Sequence, residues 1–116
     1  MLKAPPLTGR NLAGGDVIGN KLYVVGGCID SDCGSQTTAI LEAYDPGTDT
    51  WAPLASMPTA RNSVGVGAIN GLLYAAGGGV PFGPTNKLEV YDPGTNLWAT
   101  LASMPVPLSK IGRAHV

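Results

Sequence analysis

Apolar residues along this chain come in short runs broken by glycine, proline and polar turns. Leu22–Val25 and Leu72–Ala76 are apolar without alternation, which predicts strands covered on both faces by neighbouring layers. Ser63–Ile69 is rich in small residues, which predicts a strand in a crowded position where bulky side chains would collide. Asn70-Gly71 tolerates positive φ at both central turn positions and predicts a tight hairpin between these two segments; Asn20-Lys21 is the less favourable pair at the matching place. Gly26-Gly27 and Gly77-Gly78 end the apolar runs, where missing side chains permit unusual dihedrals and close backbone approach. Ile40–Tyr44 and Lys87–Tyr91 predict a third strand in each half. Both lead into Asp-Pro-Gly-Thr, where proline presets φ at the second turn position and glycine is expected to take positive φ at the third. A fourth strand then carries Trp51 or Trp98 and leaves through Ser-Met-Pro.

The pattern is doubled. Leu41–Pro58 matches Leu88–Pro105 at 14 of 18 positions with an offset of 47. Leu22–Gly27 falls on Leu73–Gly78 at an offset of 51, which also sets Arg10-Asn11 on Arg61-Asn62. The difference of 4 lies between the glycine pair and the tyrosine, and length variation belongs in loops. The chain is therefore two copies of one four-stranded unit.

A period of about 50 residues with a glycine doublet, then a tyrosine, then a tryptophan resembles the kelch repeat, one four-stranded blade of a β-propeller. Arg61, Gly77-Gly78, Tyr91 and Trp98 stand in the kelch order, and Arg10, Gly26-Gly27, Tyr44 and Trp51 repeat it. The resemblance implies an all-β fold of antiparallel four-stranded blades. It also implies a first strand lining the propeller axis, Tyr and Trp packed between blades, and loops two-to-three and four-to-one on one rim. On this reading residues 10–58 form one blade and 59–105 the next. Residues 1–9 resemble the exit from a preceding blade, since Pro6–Arg10 parallels Met57–Arg61, and 106–110 begin a following one. Propellers close a ring with roughly four to eight blades, so two blades leave it open and the chain reads as part of a larger propeller. Residues 111–116 match the translation of a sequencing-adapter stretch, ATC GGA AGA GCA CAC GTC, and read as a non-native tail. A genuine strand start is the alternative, since Ile111 and Gly112 align with Val64 and Gly65.

Composition sharpens this picture. Seventeen Gly and ten Pro, with 44% hydrophobic and 13% charged residues, describe a turn-rich chain with ample core material. A net charge of −1 gives no electrostatic footprint for nucleic acid or an anionic membrane surface. No apolar run approaches the ~20 residues that span a bilayer, so membrane insertion is not expected.

Catalysis has little to build on. The only His, His115, lies in the suspect tail, which leaves no imidazole base for a Ser or Cys nucleophile. No catalytic set, metal site or cofactor is expected. Asp45 and Asp92 recur and are expected to cap turns through their side-chain oxygens; Glu42 and Glu89 recur and read as structural. Cys28 and Cys33 sit in the longer loop of the first unit. A local disulfide, two free thiols and half a metal site all fit, although zinc needs four ligands and no second cysteine pair exists. A disulfide would favour an extracellular or periplasmic location, which is otherwise open.

The binding candidates are non-repeated rim-loop residues: Asp30, Asp32 and Gln36 in the first unit and Phe82, the only Phe, in the second. Flanking prolines either hold Phe82 outward as an anchor or let it fold back on its own blade. Arg10 and Arg61 recur and so read first as structural hydrogen-bond donors at the start of the first strand; they join the rim candidates because their planar fork also suits carboxylates. The expected function is a kelch-type scaffold that binds protein or carbohydrate through rim loops, with other blades of the same propeller beside it. The alternative is a piece of a propeller enzyme resembling galactose oxidase or a sialic-acid mutarotase, with its catalytic residues in other blades.

Overall fold

The structure, a computed structural model, describes residues 13–28, 37–80 and 83–105. The first sheet is an antiparallel meander of β1 (Gly14–Ile18), β2 (Lys21–Val25), β3 (Leu41–Asp45) and β4 (Thr50–Leu54). The second begins with β5 (Gly65–Ile69) and β6 (Leu72–Ala76). A small hairpin, β7 (Gly79–Val80) with β8 (Gly83–Pro84), then leads to β9 (Leu88–Asp92) and β10 (Leu97–Thr100). Its strand order, β5-β6-β9-β10, repeats that of the first sheet. Two blades of an open ring result.

Hairpin geometry departs from the sequence reading in three places. Ile18 pairs with Lys21, so the first turn is Gly19-Asn20 and not Asn20-Lys21. Positive φ falls on Gly19 (61°) there, but on both Asn70 (53°) and Gly71 (79°) in the second blade. These are the two primed turn solutions whose twist suits a strand pair. Secondly, positive φ in the Asp-Pro-Gly-Thr hairpins belongs to Asp49 (55°) and Asn96 (56°), not to Gly47 or Gly94. The Asp45 carboxylate accepts the Gly47 N–H at 2.9 Å and that of Asp92 accepts Gly94 N–H at 2.8 Å. That side-chain cap holds the start of each turn right-handed, and the chain changes hand only at the last loop residue, where Asp and Asn tolerate it. Thirdly, Ser63 takes φ of 51°, so the small-residue strand starts at Gly65 instead of Ser63.

Within these two blades, burial along β2 and β6 falls on one face of each sheet. β2 and β6 alternate between covered and open faces and are not enclosed on both. Side chains on a strand point to opposite faces at period two, and only one face of each sheet meets the other blade. Tyr23, Val25, Leu41 and Ala43 of the first blade meet Leu73, Ala75 and Tyr91 of the second, with Met57 and Val64 completing one core. β1 and β5 approach most closely: a Cβ at Gly14 would fall on Val66 and lie 2.7 Å from the Val64 carbonyl oxygen. Small residues in the first strand therefore answer to crowding. The glycine doublets take positive φ throughout, and a Cβ at Gly78 (94°) would stand 2.5 Å from the Asn62 carbonyl oxygen. Gly78→Ala is expected to cost about 1–3 kcal/mol through strained φ and that clash. Urea unfolding measures it; an unchanged midpoint would show that the doublet is not required.

Candidate binding rim

Antiparallel order puts the β2–β3 loop, the β6–β9 loop and the β4–β5 crossover at one end of the two blades. The crossover threads between the two loops. Gly27 N–H donates to the Arg61 carbonyl at 2.8 Å, and Arg61 N–H donates to that of Thr38 at 3.2 Å. One residue on, Asn62 and Gly79 exchange both backbone hydrogen bonds at 2.9 Å. Cys28 and Thr37 form an antiparallel bridge at the base of the first loop, and Val80 pairs with Gly83 in the second. Asp30, Asp32, Gln36, Phe82 and Arg10 lie outside the described residues, as does Cys33. The described ends of both candidate loop segments are thus tied to the same two-residue stretch. Cys28 is fully buried and disulfide-bonded.

Arg61 must be withdrawn from the rim candidates, because it is 0% exposed. One terminal nitrogen donates to the Gly77 and Lys87 carbonyls, both at 2.9 Å. The other donates to the Ala75 carbonyl at 3.2 Å and to Glu89 Oε1 at 2.8 Å. Glu89 is 1% exposed, and its second oxygen accepts the Thr59 hydroxyl at 2.8 Å. Only Arg61 Nε–H is buried without a partner among the described residues. Burial pulls the guanidinium below its ordinary value, and the Glu89 carboxylate opposes that shift. The planar fork that suggested ligand recognition is spent on the protein's own backbone.

The recurrent aromatics join the blades. Tyr91 packs 5.2 Å from Trp98 and 6.2 Å from Tyr23 of the first blade, measured between ring centres. Trp98 Nε1–H donates to the Ala55 carbonyl at 2.8 Å, and the Asn96 side-chain oxygen accepts from both Tyr91 hydroxyl (2.6 Å) and Ala55 N–H (3.0 Å). Tyr44 and Trp51 repeat the 5.2 Å pair, with the Tyr44 hydroxyl donating to Asp49 at 2.6 Å. Across the inner strands, Asp16 accepts the Ala68 N–H at 2.8 Å.

Comparison with known proteins fits this geometry. The Kelch motif family matches residues 9–58 and 60–105. The chain belongs to the kelch-repeat family. Kelch-like ECH-associated protein 1B of Danio rerio is 42% identical over 62 residues, covering 53% of this chain and 11% of that protein. Kelch-like protein 40 of Xenopus laevis is 37% identical over 75 residues, 65% of this chain and 12% of that one. The chain thus spans about a tenth of the length of these curated relatives. A solved structure titled "Structure of YjhT" superposes with a TM-score of 0.71 at 22% identity, over 83% of this chain and 39% of that chain, and shares the fold.

In the kelch blades, sequence reasoning missed Asn96, Asp49 and Asp16. The first two were visible as a recurring Asp/Asn five residues after the tyrosine, a residue pair suited to positive φ; Asp16 has no counterpart in the second blade, where Gly67 stands. The Asp49 hydrogen bond, then burial and the nearby Asp49 and Asp45 charges, push the Tyr44 phenol up to about 12. Such a group contributes stability that is present below its ordinary pKa of 10.0 and is lost as pH rises through about 12. Tyr44→Phe should therefore show a shallower loss of stability across that window than the parent, read by thermal melts at stepped pH; parallel slopes would refute the assignment. Glu89→Ala leaves the Arg61 charge buried with carbonyls alone and is expected to cost about 3–5 kcal/mol in chemical denaturation. A loss below about 1 kcal/mol would mean that the pair does not organise the blade.

Proposed function

We propose that these kelch blades belong to a scaffold that binds a partner protein through the loops of the rim just described. The observation that carries this reading is the shared anchorage: Arg61-Asn62 ties the β2–β3 loop to the β6–β9 loop, so two non-repeated segments leave one rigid end side by side. Binding residues concentrate on loops held by a rigid framework. Asp30 and Asp32 offer charge to basic groups, and Phe82 offers an apolar anchor. The matching partner is a protein segment with basic residues flanking an apolar patch. One relative is named as ECH-associated, which supports an associative role for such blades. A Cys28–Cys33 disulfide would brace the first loop and favours an oxidising compartment. Further blades of the same repeat complete the ring.

Peptides selected from a displayed library on the immobilised chain provide the test, titrated calorimetrically against the parent, Phe82→Ala and Asp30→Asn/Asp32→Asn. Each rim variant is expected to weaken binding roughly tenfold or more, the scale of a hot-spot truncation, while Val17→Asp on a sheet face leaves it unchanged. Equal affinities for parent and rim variants would overturn the proposal.

A further inference from the structure

The two sheets enclose a polar cavity at the end opposite the rim, where the back of the first blade meets the front of the second. Its volume is about 220 Å³, and both walls belong to this chain: Lys21, Tyr23, Ala43, Asp45 and Thr50 on the first blade, Tyr91 on the second. Strand register accounts for the grouping. Tyr23 pairs with Ala43 and Asp45 with Thr50, while Lys21 stands one place beyond the Leu22–Tyr44 pair, beside Asp45. Positions two apart on a strand share a face, so these residues form one wall.

The repeat separates what the blade needs from what this cavity adds. Tyr23 and Asp45 recur as Tyr74 and Asp92. Lys21, Ala43 and Thr50 do not recur, because Leu72, Val90 and Leu97 occupy their places in the second blade. Blade architecture thus accepts apolar side chains where the first blade has an ammonium and a hydroxyl. The smaller residue at position 43 leaves space beside them.

Hydrogen bonding singles out the same place. The Tyr44 and Tyr91 hydroxyls are each held by the loop residue five positions on, Asp49 and Asn96. Tyr23 is 6% exposed and lines the cavity, yet its hydroxyl has no hydrogen-bond partner among the described residues. Covering a phenol without such a partner costs free energy, which a polar group inside the cavity would offset. Burial pushes the Tyr23 phenol up, so it stays protonated and able to donate. Lys21 has no ion pair among the described residues. Asp45 accepts the Gly47 N–H through Oδ1, which leaves Oδ2 for another donor, and the Thr50 hydroxyl lies 2.6 Å from that of Thr48.

We propose that this cavity binds a small zwitterion bearing one carboxylate and one ammonium, the class of the free amino acids. The ligand carboxylate meets Lys21 and the Tyr23 hydroxyl, and its ammonium meets Asp45. Side chains opposite each other on neighbouring strands start roughly 5 Å apart, a spacing that a single carbon carrying both charges bridges. A lone anion would face Asp45 as a like charge, a lone cation would face Lys21, and a neutral polyol would leave both charges unmatched. The cavity is smaller than the roughly 300–1,000 Å³ of sites for drug-sized ligands, which limits the occupant to this size. The site stands apart from the rim and does not depend on the rim reading.

Calorimetric titration of serine into the 116-residue chain tests this, with acetate, ethylamine and glycerol as singly charged and uncharged controls. Serine is expected to bind with a Kd of about 1 mM or tighter and each control roughly tenfold more weakly or less. Tyr23→Phe removes one hydrogen bond and should weaken serine binding about tenfold. Lys21→Leu and Asp45→Asn each remove a charge-assisted contact and should weaken it about tenfold to a hundredfold; Asn at position 45 keeps an oxygen for the turn. Ala43→Val installs the second-blade residue and should abolish binding by filling the space. If Ala43→Val fails to fold, Lys21→Leu, at an exposed position, carries the test. No binding of serine, a control that binds as well as serine, or folded variants that bind serine like the parent would each overturn the proposal.

Discussion

A guanidinium held out of water at Arg61 constrains the rest of this structure. Its four terminal donors meet three carbonyl oxygens and one carboxylate, and each of those acceptors has to be delivered by the fold. Ala75 and Gly77 deliver theirs from the end of β6, Lys87 from the approach to β9, and Glu89 from β9 itself. A buried charge without partners costs several kcal/mol, so the end of one strand and the start of another are fixed relative to each other. The Arg61 backbone meanwhile bonds to Gly27 and Thr38 of the preceding blade. A single residue thus sets the inside of its own blade and the joint to its neighbour.

Close approach makes that arrangement possible and explains where glycine is irreplaceable. A Cβ at Gly26 would lie 2.6 Å from the Arg61 carbonyl oxygen, and one at Gly78 would lie 2.5 Å from that of Asn62. The crossover segment passes through gaps that only a missing side chain leaves open. Aromatic side chains do the complementary work at the other end of the blades, filling the space between sheets while their polar tips reach Asn96 and Ala55. Recurrent residues are committed to this framework. The chain between the anchored loop ends differs in length and sequence between the two copies.

Packing by repetition carries a further consequence. An interface made of one blade's back and the next blade's front repeats from blade to blade until the ring closes. Val17 and Leu22 at one end and Ile69 and Leu97 at the other are the exposed remainder of that series.

The sequence by itself determined the repeat, the ends of β2, β3, β5, β6 and β9 within two residues, the glycine doublets, the two-blade all-β architecture and the capping role of Asp45 and Asp92. These are set by short-range chemistry: turn residues, β-propensity and recurrence act within a few positions and leave a local mark. What only the tertiary structure decided was orientation. Arg61 and Glu89 stand 28 positions apart, and nothing in their spacing says that the pair is buried instead of facing a ligand. Whether β2 is covered on one face or two depends on which blades lie beside it, and positive φ moved from Gly47 to Asp49 because a carboxylate captured the turn first. Residue type announces what a side chain is able to do. Only the packed neighbours determine which of its possible partners it meets, because burial and hydrogen bonding are contests settled between distant segments.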